Sequence, residues 1–501
     1  MNVVLNEIHS IRPLLAVLTS LVAAVFIGFT PKNQNLRETW TFLAAFIKFS
    51  LILSLLPLAM SGKVITFTFF EFLPDIYCQF RIDALGIYFA LLSSALWIIT
   101  SVYSIGYMRT LKEKQQTRFY ASFALSLSAT IGIAFSGDLI SFFIFYELLT
   151  LATYPLVTHK ETPEAVMAGR KYLIYSLSAG VFLLIGIAWV IIQTGQTTFQ
   201  AGGFLNGNLV NHKELAIIFF MFIYGCGVKS GLFPVHAWLP SAMVAPTPVS
   251  ALLHAVAVVK AGAFGILRIT GFVFGPLTIE TTNLQEPLSW IAAFTILGAS
   301  CIALAQDNLK RRLAYSTISQ LSYIILGVSL LSPAGFTGSM LHLVNHAFMK
   351  ITLFFCAGAI YAKTHIENIS EMRGLARKMP IIFTTFAIAS ASLAGFPLFS
   401  GFISKWYFCL GALQAEKPLF FGVYLLSTFF NIAYLFPVVI TGLRAGGKNM
   451  HLQIEETPWT LITPPVITAF GVILLGTSYW LIHSQLTLAH IVSGQIFKGI
   501  L

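Results

Sequence analysis

Four ionisable side chains lie deep inside long apolar stretches of the sequence: Glu147, Lys229, Lys260 and Lys405. A charge at the centre of a bilayer costs about 2.5–3.5 kcal/mol on insertion scales, so a partner or a wet cavity is expected beside it. Burial favours the neutral forms of lysine and glutamate, which suits both to proton exchange. An ion pair between Glu147 and Lys229 would oppose this, so making and breaking that pair is a possible switch. Lys405 lies nearer the end of its stretch, where snorkelling is the alternative.

Histidines supply a second set of titratable groups. His342, His346 and Lys350 recur at intervals of four, so all three are predicted on one face of a single helix. His254 lies six residues before Lys260 and is predicted roughly on a common face with it. A stripe of titratable groups in lipid is typical of a proton relay. A zinc site and plain hydrogen bonding between helices are the alternatives, although no acidic third ligand follows nearby.

Motifs for cofactor chemistry are lacking in the sequence. The five cysteines are scattered singly, without CxxC or Cys/His spacing, which disfavours iron–sulfur, zinc and disulfide sites. There is no phosphate loop, nucleotide fingerprint or nucleophile elbow. We therefore expect no cofactor and no metal in this chain, and the chain by itself has no evident energy source.

The composition indicates a lipid environment. Of the 501 residues, 57% are hydrophobic and 10% are charged, whereas soluble domains carry about 25% charged residues. Apolar runs long enough to span a bilayer must be helices or closed barrels, and runs this continuous exclude the alternation of barrel strands. We expect an all-α, multi-pass protein of the cell (inner) membrane.

Hydropathy predicts about fourteen transmembrane helices. They lie near 12–29, 40–60, 85–107, 118–136, 138–158, 170–193, 215–238, 246–272, 287–305, 312–331, 336–362, 380–408, 419–443 and 462–482. Basic residues number about 18 in the odd-numbered loops and 4 in the even-numbered ones, which places the odd loops in the cytoplasm and both termini outside. Topology thus explains the net charge of +11, and no nucleic-acid partner is expected.

Two similar segments are predicted to interrupt helices. Residues 229–234 (KSGLFP) and 393–397 (LAGFP) both place a glycine shortly before a Phe-Pro pair, in the seventh and twelfth spans. An offset of five helices gives the two copies opposite orientations. Paired interrupted helices in an inverted repeat point to a transporter site. The alternative is that these are ordinary kinks of membrane helices.

Several motifs resemble those of the antiporter-like subunits shared by respiratory complex I and Mrp-type Na+/H+ antiporters. The resemblance runs from about residue 80 to 440. The motifs are 106–108 (GYM), 146–148 (YEL), 233–240 (FPVHAWLP), 245–254 (APTPVSALLH) with Lys260, 343–350 (LVNHAFMK) and 401–405 (GFISK). The length suits the Mrp D type, or a middle subunit of complex I or of a related membrane-bound hydrogenase, whereas the 245–254 motif is more similar to the Mrp A type and to the largest subunit of complex I.

The resemblance implies two inverted five-helix repeats within one integral membrane domain. The divisions are 1–117 (helices 1–3), 118–272 (helices 4–8), 287–443 (helices 9–13) and 444–501 (helix 14 and tail). The resemblance further implies that Glu147 and Lys229 form the charge pair and that Lys260 is the central proton carrier. The histidines would bridge two half-channels, and Lys405 would serve the outer exit.

On this resemblance we expect a proton-translocating membrane subunit of a multisubunit Na+(cation)/H+ antiporter complex. Its partners would be other membrane subunits and the lipid bilayer, and its cargo protons and possibly Na+. One alternative is a proton-pumping subunit of NADH:quinone oxidoreductase or a related membrane-bound hydrogenase, in which this chain would be a non-redox subunit. The alternative from another class is a structural membrane scaffold whose buried charges only fix helix packing.

Overall fold

The computed structural model describes residues 7–73, 76–207, 209–446, 456–478 and 484–498, most of them helical. The helices are α1 Arg12–Phe29, α2 Gln34–Leu53, α3 Leu56–Met60, α4 Ala84–Thr110, α5 Gln116–Phe135, α6 Leu139–Val157, α7 Pro163–Thr194, α8 His212–Ser230, α9 Trp238–Ser241, α10 Thr247–Ala255, α11 Val258–Arg268, α12 Gly275–Thr281, α13 Gln285–Ala305, α14 Leu309–Ser329, α15 Pro333–Thr364, α16 Leu375–Lys378, α17 Pro380–Ala394, α18 Ser400–Gln414, α19 Pro418–Leu443, α20 Trp459–Thr477 and α21 Gln485–Ile496. A π-helical turn, Ile269–Phe274, joins α11 to α12.

A small sheet is the exception to the predicted all-helical chain. Strand β1 (Glu7–His9) pairs in parallel with β2 (Val64–Leu73), which pairs antiparallel with β3 (Ile76–Ile82). Alternate residues of β3 are buried, the period of a strand with one covered face. The sheet leads directly into α4, whose first residue follows Asp83.

Long apolar helices confirm a multi-pass membrane protein. Among the described residues, eleven helical stretches are long and apolar enough to cross a bilayer. The predicted spans near 215–238, 312–331 and 380–408 fall outside that group. They correspond to α8, to α14 and to the pair α17 and α18. The count of fourteen therefore stays a prediction, and residues 479–482 of the last predicted span lie outside the described residues.

The structure breaks helices at both predicted glycines. α8 ends at Ser230 and α17 ends at Ala394, each followed by a glycine with positive φ: +76° at Gly231 and +85° at Gly395. Each glycine N–H bonds back to carbonyls of the preceding turn, which is the left-handed termination that glycine favours. The two interruptions are thus built alike.

A third interruption lies in the eighth predicted span. α10 ends at Ala255 and α11 begins at Val258, and the N–H groups of Val256 and Ala257 both bond to the carbonyl of Leu252. His254 and Lys260 therefore belong to two separate helices. The prediction that they share a face of one continuous helix is wrong, because Ala257 departs from helical geometry (φ −105°, ψ −88°).

α15 is the central helix of the structure. It runs for 32 residues, almost all buried, and packs against α10, α14, α17, α18 and α20. Close approach of α11 to α8 occurs at Gly262, where an added Cβ would lie 2.6 Å from the backbone nitrogen of Ser230. These contacts bring the helices that carry the candidate lysines and histidines together.

Candidate functional site: a buried lysine–histidine row

Lys260 and His346 form the centre of the site. Both side chains are fully buried, and Lys260 Nζ of α11 lies 2.8 Å from His346 Nδ1 of α15. The other ring nitrogen of His346, Nε2, has no partner among the described residues. This contact joins the two helices that the sequence analysis assigned to the first and second repeat.

His342 continues the row one turn along α15. Its ring lies 5.6 Å from that of His346, nearly parallel to it. Nδ1 lies 2.8 Å from Ser404 Oγ of α18, and Nε2 lies 3.1 Å from Gln320 Oε1 of α14. Because Ser404 Oγ also reaches the carbonyl of Gly401 at 3.2 Å, its hydroxyl proton has two acceptors to choose from.

An amide chain fixes the orientation of Gln320. Asn431 Nδ2 donates to the carbonyl of Leu393 (3.3 Å), and Gln320 Nε2 donates to Asn431 Oδ1 (3.3 Å). A carbonyl can only accept, so each amide in turn has its oxygen and nitrogen assigned. Gln320 therefore presents its oxygen to His342, whose Nε2 carries the proton.

Lys405 lies beyond His342 on α18. Its Nζ donates to Thr428 Oγ1 (3.1 Å) and lies 5.5 Å from the centre of the Tyr323 ring. Tyr323 in turn stacks on His342, with ring centres 5.8 Å apart. The ammonium is buried on a hydroxyl and a ring, so snorkelling does not describe it.

Lys350 and His254 lie beside the central pair. Lys350 Nζ donates to Ser316 Oγ (2.5 Å) and to the carbonyl of Leu313 (3.1 Å). His254 is fully buried against Phe354, and neither ring nitrogen has a partner within the part of the chain that the structure describes. All three residues of the predicted α15 stripe are therefore buried and engaged with neighbouring helices.

Glu147 and Lys229 are close but not in contact. Lys229 Nζ donates to the carbonyl of Tyr146 and lies 3.4 Å from the centre of its ring. No ion pair within 4 Å joins Glu147 to Lys229, both of which are described. Glu147 Oε1 instead occupies the space that a Cβ on Gly180 of α7 would fill. The contact pair implied by the resemblance is therefore not formed in this structure.

The row is rich in bases and poor in acids. The hydrogen-bonding partners of these lysines and histidines are hydroxyls, amides, carbonyls or other bases. In the described residues no three His, Cys, Asp or Glu side chains gather as metal ligands. Neutral partners leave each base free to exist charged or uncharged, which is what proton transfer requires.

A transmembrane family model described as NADH:quinone oxidoreductase/Mrp antiporter matches residues 136–431, more than half of the chain. The chain belongs to this family. NADH-quinone oxidoreductase subunit N of Desulforudis audaxviator is 32% identical over 388 residues, which cover 75% of this chain and 77% of that protein. Na(+)/H(+) antiporter subunit A1 of Staphylococcus aureus is 31% identical over 492 residues, and the match covers 92% of this chain. The chain spans only 60% of that antiporter subunit.

Two solved structures share the fold of this family member. A chain of the Mrp complex from Dietzia sp. DQ12-45-1b superposes with a TM-score of 0.86 at 20% identity, covering 97% of both chains. A chain of the membrane-bound sulfane sulfur reductase, an archaeal respiratory membrane complex, gives a TM-score of 0.86 at 24% identity. At these identities the likeness is one of fold.

In this antiporter-family chain, an unforeseen ion pair anchors the helix that carries Lys260. Arg268, at the end of α11, is buried and bonds through both terminal nitrogens to the carboxylate of Asp83 at the start of α4. Aromatic rings of Phe199, Phe264 and Phe272 surround its guanidinium, with ring centres 4.7–5.4 Å away. Both residues lie near the ends of predicted spans, where an accessible position at the membrane surface is the ordinary expectation, but the folded chain covers the guanidinium of Arg268.

Gln320, Asn431 and Ser404 are the site residues that sequence reasoning missed. Each is a small polar group in an apolar span, and such groups usually hydrogen-bond between helices. An uncharged amide at one position gives no sign of which helix it will meet. Their contacts with the lysine–histidine row depend on the arrangement of α14, α18 and α19.

Proposed function

We propose that the chain is the proton-translocating membrane subunit of a multisubunit Na+(cation)/H+ antiporter complex. The observation that carries the proposal is the 2.8 Å contact between Lys260 and His346, both fully buried, which continues through His342. Ionisable side chains that pair with one another inside a membrane protein indicate an ion or proton pathway. The names of the relatives as subunits support other membrane proteins as its partners.

The central step is a proton transfer between two bases. The Lys260 ammonium gives a proton to His346 Nδ1, leaving a neutral amine and an imidazolium whose Nε2–H is the next donor. Two like charges 2.8 Å apart repel by about 6 kcal/mol at an effective dielectric constant of about 20. Lys260 and His346 therefore share one proton. When a second proton arrives at either base, the repulsion drives one of the two protons onward along the row.

His342 can hold the proton without rearranging its neighbours. When neutral, it accepts from Ser404 Oγ–H at Nδ1 and donates to Gln320 from Nε2. When charged, its Nδ1–H donates to Ser404 Oγ, whose own proton turns to the carbonyl of Gly401. Lys405, across the Tyr323 ring, is the proposed outer exit.

Glu147 and Lys229 are the proposed switch. In the geometry observed, Lys229 is held by the carbonyl and ring of Tyr146, so we assign this structure to the separated state of the pair. Contact with Glu147 would stabilise the ammonium and draw its charge away from α11. The close packing of α8 on α11 at Gly262 puts that change beside the helix of Lys260.

The inverted repeats, helices 4–8 and 9–13 over residues 118–272 and 287–443, are part of the proposal. Two alike interruptions support them, at Gly231 and Gly395. Each lies next to a buried lysine: Lys229 precedes Gly231 by two residues, and Lys405 Cδ lies 2.9 Å from the Cβ position of Gly395. This placement suits two half-channels of opposite orientation that meet at the row.

A second candidate function is a proton-pumping subunit of an NADH:quinone oxidoreductase-type complex or a membrane-bound hydrogenase. It is favoured by the match to subunit N, which covers similar shares of both chains. The relay would be the same, with electron transfer elsewhere as the driving force. The two candidate functions are distinguished by the proteins that copurify with this chain. Small Mrp-type subunits favour the antiporter, and flavin or iron–sulfur subunits favour the redox complex.

The test is ion translocation in vesicles that carry the whole native complex. Lys229→Ala and Lys260→Ala are expected to abolish translocation while the complex still assembles. Lys213→Ala is the matched control, because Lys213 is exposed at the other end of α8. Translocation at the control rate would contradict the relay, and loss of assembly in both variants would favour the scaffold alternative.

A further inference from the structure

Another ionisable side chain lies near mid-membrane depth, apart from the lysine–histidine row. Lys48 of α2 is fully buried. Glu38, which pairs with Arg109 of α4, marks the end of α2 that the loop charges predict to be cytoplasmic. Lys48 follows Glu38 by ten residues, or ~15 Å of helix. That depth is about half of the ~30 Å hydrocarbon core.

The surroundings of Lys48 hold no countercharge. Its Nζ donates to Ser20 Oγ of α1 and lies 5.0 Å from the centre of the Trp97 ring of α4. α2 packs against α1, α4 and α5. From none of these helices does a described ionisable side chain form an ion pair with Lys48. A permanent charge here would be buried at membrane depth without a counterion, which is energetically costly and therefore indicates a function.

Ser20 suits both protonation states of the lysine. A hydroxyl accepts from an ammonium and donates to a neutral amine, so the contact survives loss of the proton. A carboxylate in the same place would instead hold the lysine charged. The serine thus provides a site that binds and releases a proton without breaking its hydrogen bond.

A polar face of α2 leads from the cytoplasmic end toward Lys48. Arg37, Thr41 and Lys48 follow one another at intervals of four and seven residues, and all three are buried on one side of the helix. The charged or titratable groups at its cytoplasmic end are Arg37, Glu38, Arg109 and Tyr120. The buried hydroxyl of Tyr120 has no partner among the described residues, and its ring lies under Arg37.

We propose that Lys48 is a second proton-binding site, loaded from the cytoplasmic end of α2 and distinct from the Lys260 row. The proposal rests on the proposed function as a proton-translocating subunit. The neutral amine takes a proton from water at the polar face and returns it the same way in each transport cycle, so the charge on Lys48 alternates and translocation depends on that alternation. α1 and α2 carry no other ionisable side chain between the level of Lys48 and their outer ends, apart from Arg12 at the start of α1.

The fluorescence of Trp97 can report the protonation of Lys48 without a measurement of transport. A cation over its ring perturbs its emission, so the purified complex is titrated from pH 5 to 9 and the emission of Trp97→Phe is subtracted. We expect the Trp97 emission to titrate in the native protein and to be independent of pH in Lys48→Met. An emission that does not titrate in the native protein, or that titrates equally in Lys48→Met, overturns the proposal.

Transport by charge-fixed variants completes the test. Lys48→Met stays neutral and Lys48→Arg stays charged, so both are expected to lose translocation while the complex assembles. Lys32→Met is the control, since Lys32 is exposed in the loop before α2. Retained translocation in either variant, or an equal loss of assembly in both, overturns the proposal. If Lys260→Ala translocates normally while Trp97 still titrates, the proposed function fails and the Lys48 site stands.

Discussion

Replacing Asp83 by asparagine isolates the charge of the Asp83–Arg268 pair. The substitution leaves the buried Arg268 guanidinium without its anion, and breaking such a pair costs about 3–5 kcal/mol. Asparagine keeps the oxygen that accepts from the Gly86 N–H (2.8 Å) at the start of α4, so the helix cap survives. The loss therefore reports on the ion pair alone.

Two further variants make the prediction quantitative. Asp83→Asn combined with Arg268→Met removes both charges and is expected to recover most of the lost stability, because burying neither ion is close to neutral. Glu161→Gln breaks the exposed pair with Arg118, whose side chains are 57% and 36% accessible. That control is expected to cost less than about 1 kcal/mol.

The assay is denaturant unfolding of the purified complex, with ion translocation measured in parallel. Arg268 lies eight residues, about two turns, after Lys260 on α11. Loosening this end of the helix is expected to misplace Lys260 and slow translocation, and the double variant should restore part of it. If Asp83→Asn destabilises no more than Glu161→Gln, or if the double variant is no better than the single one, the anchoring argument is refuted.

Two more predictions concern His159 and Gly395. Burial, with Arg118 nearby, lowers the pKa of His159 to about 4, so the unfolded chain binds a proton that the folded chain does not. The free energy of unfolding should fall by about 3 kcal/mol as pH drops from 6.5 to 4. In His159→Gln the melting temperature should depend less on pH over that range. Gly395→Ala places a Cβ at φ +85°, 2.9 Å from Lys405 Cδ, and should cost about 1–2 kcal/mol and slow translocation. Gly422→Ala, with open space around it, is the control and should leave translocation unchanged.

Hydropathy and glycine–proline placement predicted much of the fold. Long apolar runs predicted the main helices, and the two segments with a glycine shortly before a Phe-Pro pair marked the ends of α8 and α17 correctly. The four-residue spacing also placed His342, His346 and Lys350 on one buried helix. These features depend on local sequence alone, which is why sequence was sufficient for them.

Features that depend on neighbouring helices were not foreseen. The break after Ala255 contains neither glycine nor proline, so nothing local distinguishes it from continuous helix. Lys48 is a single lysine within an apolar run from 40 to 60, and an average over the run conceals it. The separation of Lys229 from Glu147 depends on a carbonyl and a glycine of other helices.

The break between α17 and α18 determines which nitrogen of His342 carries its proton. Pro397 stands four residues after Leu393 and has no N–H, so the Leu393 carbonyl lacks its helical donor.

Asn431 takes that place, and the amide order then passes through Gln320 to the Nε2–H of His342. Movement of the broken helix would reverse the orientation of the two amides, Asn431 and Gln320, and would change which nitrogen of His342 carries the proton. In the proposed relay, a change at the break and a change in the proton position on His342 are in this way one event, which is the coupling that directional transport requires.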